Sequence, residues 1–200
     1  MIKYLIFDWG GVCVHGHALK DFARDLAEKT GKDKDEIESA FRELEYPYET
    51  GKISPDKFWS DLKQGLNLDL PAEEIQSVML HSCDLSNREV LDLIVELKKK
   101  FTIVLLSNNY EDLFAHTQKF YSFEKYFDRV FSSSGIGFKK PEREAYEHVL
   151  KHLEAKPEEV VFIDDKEKNV VGANGLGIKT IHFKDSRQLE EELRIIIDKI

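Results

Sequence analysis

The sequence predicts an α/β fold, with a Rossmann-like parallel sheet as its core and an inserted alpha-helical cap. Short apolar runs without polar alternation indicate strands buried on both faces, and amphipathic helical patterns separate the later runs. Such strand–helix alternation is typical of a parallel sheet built from right-handed crossovers. A chain of 200 residues with 42% hydrophobic content is long enough for this core.

Five apolar runs are the predicted strands. The first, residues 2–7, stops at Asp8 and is followed by two glycines that mark a tight turn. The other runs are 102–106, 129–131, 160–163 and 178–183. Between them, apolar residues recur at spacings of three and four, as at Tyr146, Val149, Leu150 and Leu153.

Residues 15–82 are predicted to form the cap, and residues 1–14 with 83–200 the core. The cap segment contains several amphipathic patterns and no convincing strand. Ser54 and Pro55 predict a helix start, with serine as N-cap and proline at the first helical position. Residues 86–89 have the pattern of a capping box, which predicts that the helix returning to the core is capped by Ser86.

The bulk properties exclude several classes of protein. A formal net charge of −9 argues against nonspecific binding to nucleic acid or to an anionic membrane. No run approaches a membrane span or a signal peptide. Two cysteines, Cys13 and Cys83, are too few for a disulfide framework, and Cys13 is expected to be a buried packing residue. We therefore expect a cytoplasmic protein with a small-molecule partner, whose oligomeric state stays undetermined.

Polar residues follow the first two predicted strands at their carboxyl ends, where an open α/β sheet places its active site. Asp8 ends the first strand, and a carboxylate there is costly to bury unless a cation or hydrogen bonds offset it. Capping of the next turn is the plainer interpretation of Asp8 alone. Ser107, Asn108 and Asn109 follow the second strand and can bind phosphate oxygens, although such residues are also common in turns.

Lys140 and the pair Asp164 and Asp165 complete the set. Lys140 precedes Pro141, which suits the first turn of a helix, and its ammonium can neutralise charge around a phosphoaspartate. Lys139 is expected to be a solvated neighbour. Two adjacent carboxylates repel each other without a cation, and hard oxygen ligands suit Mg²⁺, although an aspartate can also cap the following helix.

The order of these features resembles the haloacid dehalogenase-like superfamily over essentially the whole chain. The resemblance implies a nucleophile at Asp8, a catalytic lysine at Lys140 and a cap that closes over small substrates. It also implies a magnesium site made of Asp8, the Gly10 carbonyl, Asp164 and Asp165. The implied phosphate and substrate site consists of Gly10, Ser107, Asn108 and Asn109.

Position 10 departs from most phosphatases of that superfamily, which carry a general acid/base aspartate there. Such proton transfer is typically worth about 10²–10⁴ in rate. A sub-branch with Asp-x-Gly, which includes bacterial glucose-1-phosphate phosphatases, looks closest, and it shares the Glu-x-Gly-x-Ile-Ser pattern of residues 49–54. An anomeric phosphate needs less acid catalysis, so a sugar phosphate is the favoured substrate. His15 or His17 is a candidate proton donor, although a solvent-facing linker histidine is commoner.

Three other functions are rivals of a phosphatase. A catalytically silent binding protein would keep the fold without the reaction. A haloacid dehalogenase uses an aspartate nucleophile without metal, but Asp164 and Asp165 would repel its carboxylate substrate. A receiver-like phosphorylation switch has its acid pair after the first strand, so the order of motifs in this chain does not match it.

Overall fold

The computed structural model describes residues 1–15, 18–81 and 86–198. Its strands are β1 (Tyr4–Phe7), β2 (Thr102–Ser107), β3 (Arg129–Ser132), β4 (Val160–Asp164) and β5 (Lys179–His182). They form one parallel sheet in the order β3-β2-β1-β4-β5. All five predicted strands are therefore confirmed, and so is the predicted fold class.

The helices connect these strands in sequence order. Four of them, α1 (Ala18–Thr30), α2 (Lys34–Glu49), α3 (Pro55–Gly65) and α4 (Ala72–His81), follow β1, and α5 (Arg88–Leu97) leads into β2. Between β2 and β3 lie α6 (Glu111–Phe120) and the short α7 (Phe123–Tyr126). The remaining helices are α8 (Ser133–Ile136), α9 (Arg143–Leu153), α10 (Glu167–Asn174) and α11 (Ser186–Asp198). None of the described helices is both long and apolar enough to traverse a bilayer.

The central strands β1, β2 and β4 are covered on both faces because they carry apolar residues at successive positions, whereas the outer strands β3 and β5 are partly exposed. Leu5 and Phe7 point to a core that also contains Leu91 of α5 and Leu193 of α11. Ile6 points to the opposite core, which contains residues of α9 and α10 such as Tyr146 and Ala173. Strand side chains alternate between faces, so an uninterrupted apolar run fills both cores.

Helices α1 to α4 pack around a separate apolar cluster, whose buried residues include Phe22, Phe41, Phe58, Trp59, Ile75 and Met79. Tyr110 and Leu113, at the start of α6, belong to the same cluster. This arrangement fits the predicted cap, while the division into residues 15–82 and the remaining core stays a prediction. Ser82 and Cys83, at one predicted boundary, lie outside the described residues.

The two predicted helix starts had different outcomes. The Ser54 hydroxyl accepts a hydrogen bond from the Lys57 N–H at 3.3 Å, which confirms the cap of α3. The capping residue of α5 is Asn87, so the prediction of Ser86 is wrong. Ser86 instead forms a β-bridge with Val14, which keeps its backbone paired outside the helix.

The strand register brings three polar side chains to one edge of the sheet. Phe7 is level with Leu105 of β2 and with Ile163 of β4. One residue further along the chain lie Asp8 after β1, Leu106 in β2 and Asp164 in β4. Ser107 follows Leu106 and ends β2. The chain passes from β1 to β2 on one side and later reaches β4 on the other, so this edge is a topological switch point, where α/β sheets bind ligands.

Candidate active site

Asp8 lies directly after β1, and a glycine turn carries the chain away from it. The Asp8 N–H donates to the Ile163 carbonyl at 2.9 Å, and the Gly11 N–H donates to the Val14 carbonyl at 2.8 Å. Gly11 has a φ of +85°, and a Cβ atom added there would lie 2.4 Å from Asp165 Oδ2. Only glycine therefore lets this turn approach the acid pair so closely.

Lys140 connects the first and fourth strands through its ammonium group. Its Nζ lies 2.8 Å from Asp8 Oδ1 and 2.7 Å from Asp164 Oδ2, and it also donates to the Leu106 carbonyl at 2.7 Å. The residue is 1% exposed. A buried ammonium is stable only with such partners, and these three acceptors use all three of its donors.

Asp164 is fully buried and held by four hydrogen bonds from three donor groups. Its Oδ1 accepts from the Lys166 N–H at 2.8 Å and from Asn169 Nδ2 at 2.9 Å. Its Oδ2 accepts from Lys140 and from Asn169 Nδ2. The carboxylate is therefore fixed in orientation at the end of β4.

Asp8, Asp164 and Asp165 form an acidic cluster that fits a hard divalent cation. One oxygen of each lies within 4.8 Å of the others. Asp165 Oδ1 is buried and has no hydrogen-bond partner among the described residues, and the same is true of Asn169 Oδ1. Buried oxygens without donors indicate a missing positive partner, and oxygen ligands of this kind are those that Mg²⁺ prefers.

The electrostatics of the cluster agree with that fit. Burial raises the pKa of Asp8 to about 6, and repulsion from Asp164 adds to the effect of burial while Lys140 opposes it. Burial also raises the pKa of Asp165. The pKa of Lys140 is raised, because Asp8 and Asp164 outweigh the effect of its burial. Lys166 also lowers the pKa of Asp8 and of Asp165. Three carboxylates beside these two lysines still leave an excess of negative charge, which a divalent cation would offset.

The residues after β2 lie beside this cluster. Ser107 is buried and lies level with Ser132 of β3. The Asn108 side chain forms two hydrogen bonds with the Lys140 backbone. Asn109 donates its N–H to Ser133 Oγ at 2.9 Å, and its Oδ1 accepts from the Tyr110 N–H. The phosphate-binding roles of Ser107, Asn108, Asn109 and Gly10 stay predictions.

Lys139 is not the solvated neighbour that the sequence suggested. Its Nζ lies 2.5 Å from Glu49 Oε2, so it pairs with the last residue of α2. Burial raises the pKa of Glu49 although Lys139 opposes that shift. The carbonyl of Glu49 also accepts a hydrogen bond from Ser133 Oγ at 2.6 Å. Position in the sequence gave no signal for this pair, because its members are far apart along the chain.

Three further residues follow Asp8 closely in the sequence: Cys13, a predicted packing residue, and His15 and His17, the candidate proton donors. Cys13 is buried, as predicted, and its Sγ donates to the Asp8 carbonyl at 3.3 Å. Burial raises the pKa of its thiol well above the usual value. His15 is exposed. His17 lies outside the described residues.

Comparison with known proteins agrees with this geometry. A family model for the haloacid dehalogenase-like hydrolases matches residues 2–177. The chain belongs to the haloacid dehalogenase-like hydrolase family. Membership confirms the predicted resemblance and the predicted class of enzyme, a hydrolase.

Two characterised relatives of this hydrolase are phosphatases that match it over nearly their full lengths. A sesquiterpene phosphatase of Aspergillus oryzae is 32% identical over 98% of this chain and 96% of its own length. A D-ribitol-5-phosphate phosphatase of Bacteroides thetaiotaomicron is 30% identical over 99% of this chain and 100% of its own length. Both relatives support phosphoric monoester hydrolysis over dehalogenation.

Solved structures of the family agree in fold. A family enzyme of Bacteroides thetaiotaomicron, in complex with magnesium and inorganic phosphate, is 26% identical and covers 92% of this chain and 96% of its own, with a TM-score of 0.79. A hydrolase of Porphyromonas gingivalis is 25% identical and covers 97% and 98%, with a TM-score of 0.81. The magnesium complex and the acidic cluster together support the predicted cofactor.

Proposed function

We propose that this hydrolase is a magnesium-dependent phosphatase that acts on small phosphorylated metabolites through an aspartyl-phosphate intermediate. The observation that carries the proposal is the position of Asp8. It ends β1 within ion-pair distance of Lys140 and within reach of the Asp164 and Asp165 carboxylates. A nucleophilic carboxylate needs such a setting, because charge accumulates around it during phosphoryl transfer.

In the first step, Asp8 attacks phosphorus and displaces the alcohol of the ester. Its Oδ1 accepts hydrogen bonds from Lys140 Nζ and from the Trp9 N–H at 2.7 Å, so we assign the attack to Oδ2. The Oδ2–phosphorus bond forms as the ester oxygen leaves with the bonding electrons and takes a proton from water. Bound by Asp8, the Gly10 carbonyl, Asp164 and Asp165, magnesium would offset the charge of the phosphate oxygens.

In the second step, water attacks the phosphoaspartate and restores Asp8. The new oxygen–phosphorus bond forms as the bond from phosphorus to Asp8 Oδ2 breaks. The attacking water releases a proton to solvent, which balances the proton taken from water in the first step, and inorganic phosphate leaves. Lys140 stays beside Oδ1 and stabilises the regenerated carboxylate. Ser107, at the end of β2, is assigned to hold the phosphate oxygens in both steps.

A polar substrate, with a sugar phosphate favoured, suits the groups around Lys140. Lys139, the residue before Lys140, forms an ion pair with Glu49, and its Nζ lies 5.3 Å from the centre of the Tyr46 ring. Charged groups of this kind can bind the hydroxyls of a substrate by charge-assisted hydrogen bonds. A long hydrocarbon chain has no hydroxyls with which to form them. The absence of an acid at Gly10 further favours an ester with a good leaving group, such as an anomeric phosphate.

The decisive experiment is a panel of phosphate esters assayed with Mg²⁺ and with EDTA. The panel contains α-D-glucose 1-phosphate, D-ribitol 5-phosphate, a C15 prenyl phosphate and p-nitrophenyl phosphate. We expect release of phosphate only with magnesium, and a higher kcat/KM for α-D-glucose 1-phosphate than for the primary ester D-ribitol 5-phosphate or for the prenyl ester. A preference for the prenyl ester would contradict the proposed sugar-phosphate substrate but would leave the proposed phosphatase reaction intact.

Asp8→Asn is the control for the nucleophile. This variant keeps the shape of the side chain and is expected to lose turnover by more than about 10³-fold while circular dichroism shows an unchanged fold. Undiminished turnover in a clean preparation would show that Asp8 is not the nucleophile. Magnesium binding without hydrolysis of any ester would instead identify a catalytically silent binding protein.

A further inference from the structure

Asn108 uses both ends of its side-chain amide on the backbone of a single residue. Its Nδ2 donates to the Lys140 carbonyl at 2.9 Å, and its Oδ1 accepts from the Lys140 N–H at 2.8 Å. An amide offers one oxygen and two N–H donors, so this pairing occupies the oxygen and one of the donors. The side chain is therefore directed at Lys140.

Lys140 has particular need of such support. It lies in the turn before α9, outside any helix or strand, where no ladder or helix holds its backbone groups. Its long side chain is flexible, and holding it in one conformation costs about 2 kcal/mol of rotamer entropy. The ammonium nevertheless meets three acceptors at 2.7–2.8 Å, which requires an accurately placed backbone.

The end of β2 holds Lys140 at two separate points. Leu106 accepts a hydrogen bond from the ammonium, and Asn108 binds the backbone N–H and carbonyl. Ser107 lies between these two residues. The Ser107 hydroxyl, which is assigned to phosphate binding, and the Lys140 ammonium are thereby both held by one short segment of chain.

We propose that Asn108 is a positioning residue, which acts on the reaction through Lys140 rather than by binding phosphate. The proposal rests on the proposed phosphatase function. It replaces the direct phosphate-binding role that the sequence suggested for Asn108. The Asn108 amide fixes the position of the Lys140 backbone, and the backbone fixes the position of the ammonium. The ammonium then stabilises negative charge at Asp8.

A double-mutant cycle of Asn108→Ala and Lys140→Met tests this order of action. With p-nitrophenyl phosphate, Asn108→Ala is expected to lower kcat about 10- to 100-fold with little change in KM, as misplacement of a catalytic group does. In the Lys140→Met background, Asn108→Ala should change kcat by less than about twofold, because residues acting through one another are not additive. Equal losses in both backgrounds, or a loss confined to KM, would overturn the proposal.

Magnesium affinity gives a readout that does not depend on turnover. Lys140→Met removes a positive charge beside two carboxylates and should tighten Mg²⁺ binding measured by calorimetry. Asn108→Ala should shift the dissociation constant in the same direction by a smaller factor, and the double variant should match Lys140→Met. A wild-type constant in Asn108→Ala contradicts the proposal. Because this cycle needs no substrate, it remains decisive even if the wild-type protein hydrolyses no ester.

Asn87→Ala is the control for loss of an asparagine side chain that bonds the backbone. Asn87 also bonds two backbone groups, the Val12 carbonyl at 3.1 Å and the Val90 N–H at 3.5 Å. It should lower thermal stability equally in both backgrounds and leave the magnesium constants unchanged. If Asn108→Ala does not fold, Asn108→Asp keeps the acceptor for the Lys140 N–H, loses the donor, and enters the same cycle.

Discussion

A Cβ atom built on Gly10 meets no heavy atom within 4 Å, whereas one built on Gly11 would collide with Asp165. The structure therefore requires glycine at position 11 but leaves space for a side chain at position 10. Gly11 is required by a close approach and a positive φ, but Gly10 has open space where most family phosphatases carry an acid. A side chain at position 10 can therefore enter this space without displacing the turn.

Gly10→Asp is therefore expected to add proton transfer to the reaction. The benefit should be large for a primary alcohol phosphate, whose leaving group needs a proton, and small for p-nitrophenyl phosphate. General acid catalysis is worth about 10²–10⁴ in rate, and we expect at least about tenfold more gain for the poor leaving group. Steady-state kcat/KM for both esters measures the difference.

Gly10→Asn is the matched control, because it has the same shape without an acidic proton. It should give no selective gain. Equal gains for both esters in Gly10→Asp would mean that the missing acid does not limit the wild-type enzyme. The preference for an activated ester would then lose its basis.

The positions of the site residues were predictable from the sequence, but their partners were not. Asp8, Ser107 and Asp164 follow buried strands, and parallel strands end at one edge of a sheet, so their proximity follows from topology. The amide of Asn108 can bind phosphate or backbone equally well, and no spacing decides between them. The pairing of Lys139 with Glu49 likewise depends on how α2 packs against the chain before Lys140.

At the scale of elements, one carboxylate on α6 connects three helices. Asp112 accepts hydrogen bonds from the Tyr48 hydroxyl of α2, from Trp59 Nε1 of α3 at 2.8 Å and from Gln76 Nε2 of α4 at 2.7 Å. Tyr48 and Trp59 are almost fully buried. The start of α6 thus provides the polar centre of the cluster around which the four helices after β1 pack.

Asp112→Asn should destabilise the protein, because an amide offers one oxygen where the carboxylate offers two. At least one buried donor would face the N–H₂ group, and leaving such a donor unpaired costs about 1–3 kcal/mol beyond the lost charged hydrogen bond. We expect a loss of about 2–4 kcal/mol in the free energy of unfolding, measured with urea.

Glu111→Gln controls for the charge that Asp112→Asn removes from the first turn of α6. Glu111 is exposed and lies in the same turn, so its loss should cost less than about 1 kcal/mol through the helix dipole. Similar losses in both variants would show that the three hydrogen bonds contribute little.

The secondary structure was predictable wherever periodicity alone determines it. Each strand begins and ends within two residues of its predicted bounds, because apolar runs of this length are typical of strands in a covered parallel sheet. The start of α5 was mispredicted by one residue. A β-bridge between Ser86 and Val14 moved the cap to Asn87, and a contact between distant residues leaves no periodic signal.

At the scale of the whole molecule, negative charge without an equal positive charge is concentrated at the end of the sheet that carries the candidate active site. The chain carries a formal charge of −9, and its site holds three carboxylates beside Lys140 and Lys166. Burial makes that excess costly, as the raised pKa values of Asp8 and Asp165 show. A cation bound at the cluster should therefore stabilise the folded chain, since the unfolded chain has no such site.

Magnesium is expected to raise the midpoint of thermal unfolding by about 5–10 °C at a free concentration about 100-fold above its dissociation constant.

Asp165→Asn should raise the unfolding midpoint of the metal-free protein and reduce the further rise that magnesium causes. Without metal its midpoint should rise, because burial raises the pKa of the Asp165 carboxyl and its Oδ1 has no hydrogen-bond partner among the described residues. A neutral amide removes that unfavourable charge. With metal the further rise should largely vanish, since a ligand is lost. Asp69→Asn, at an exposed position between α3 and α4, should keep the wild-type response. A simple loss of packing would lower the midpoint in both conditions, so scanning calorimetry of the three proteins separates metal binding from structural damage.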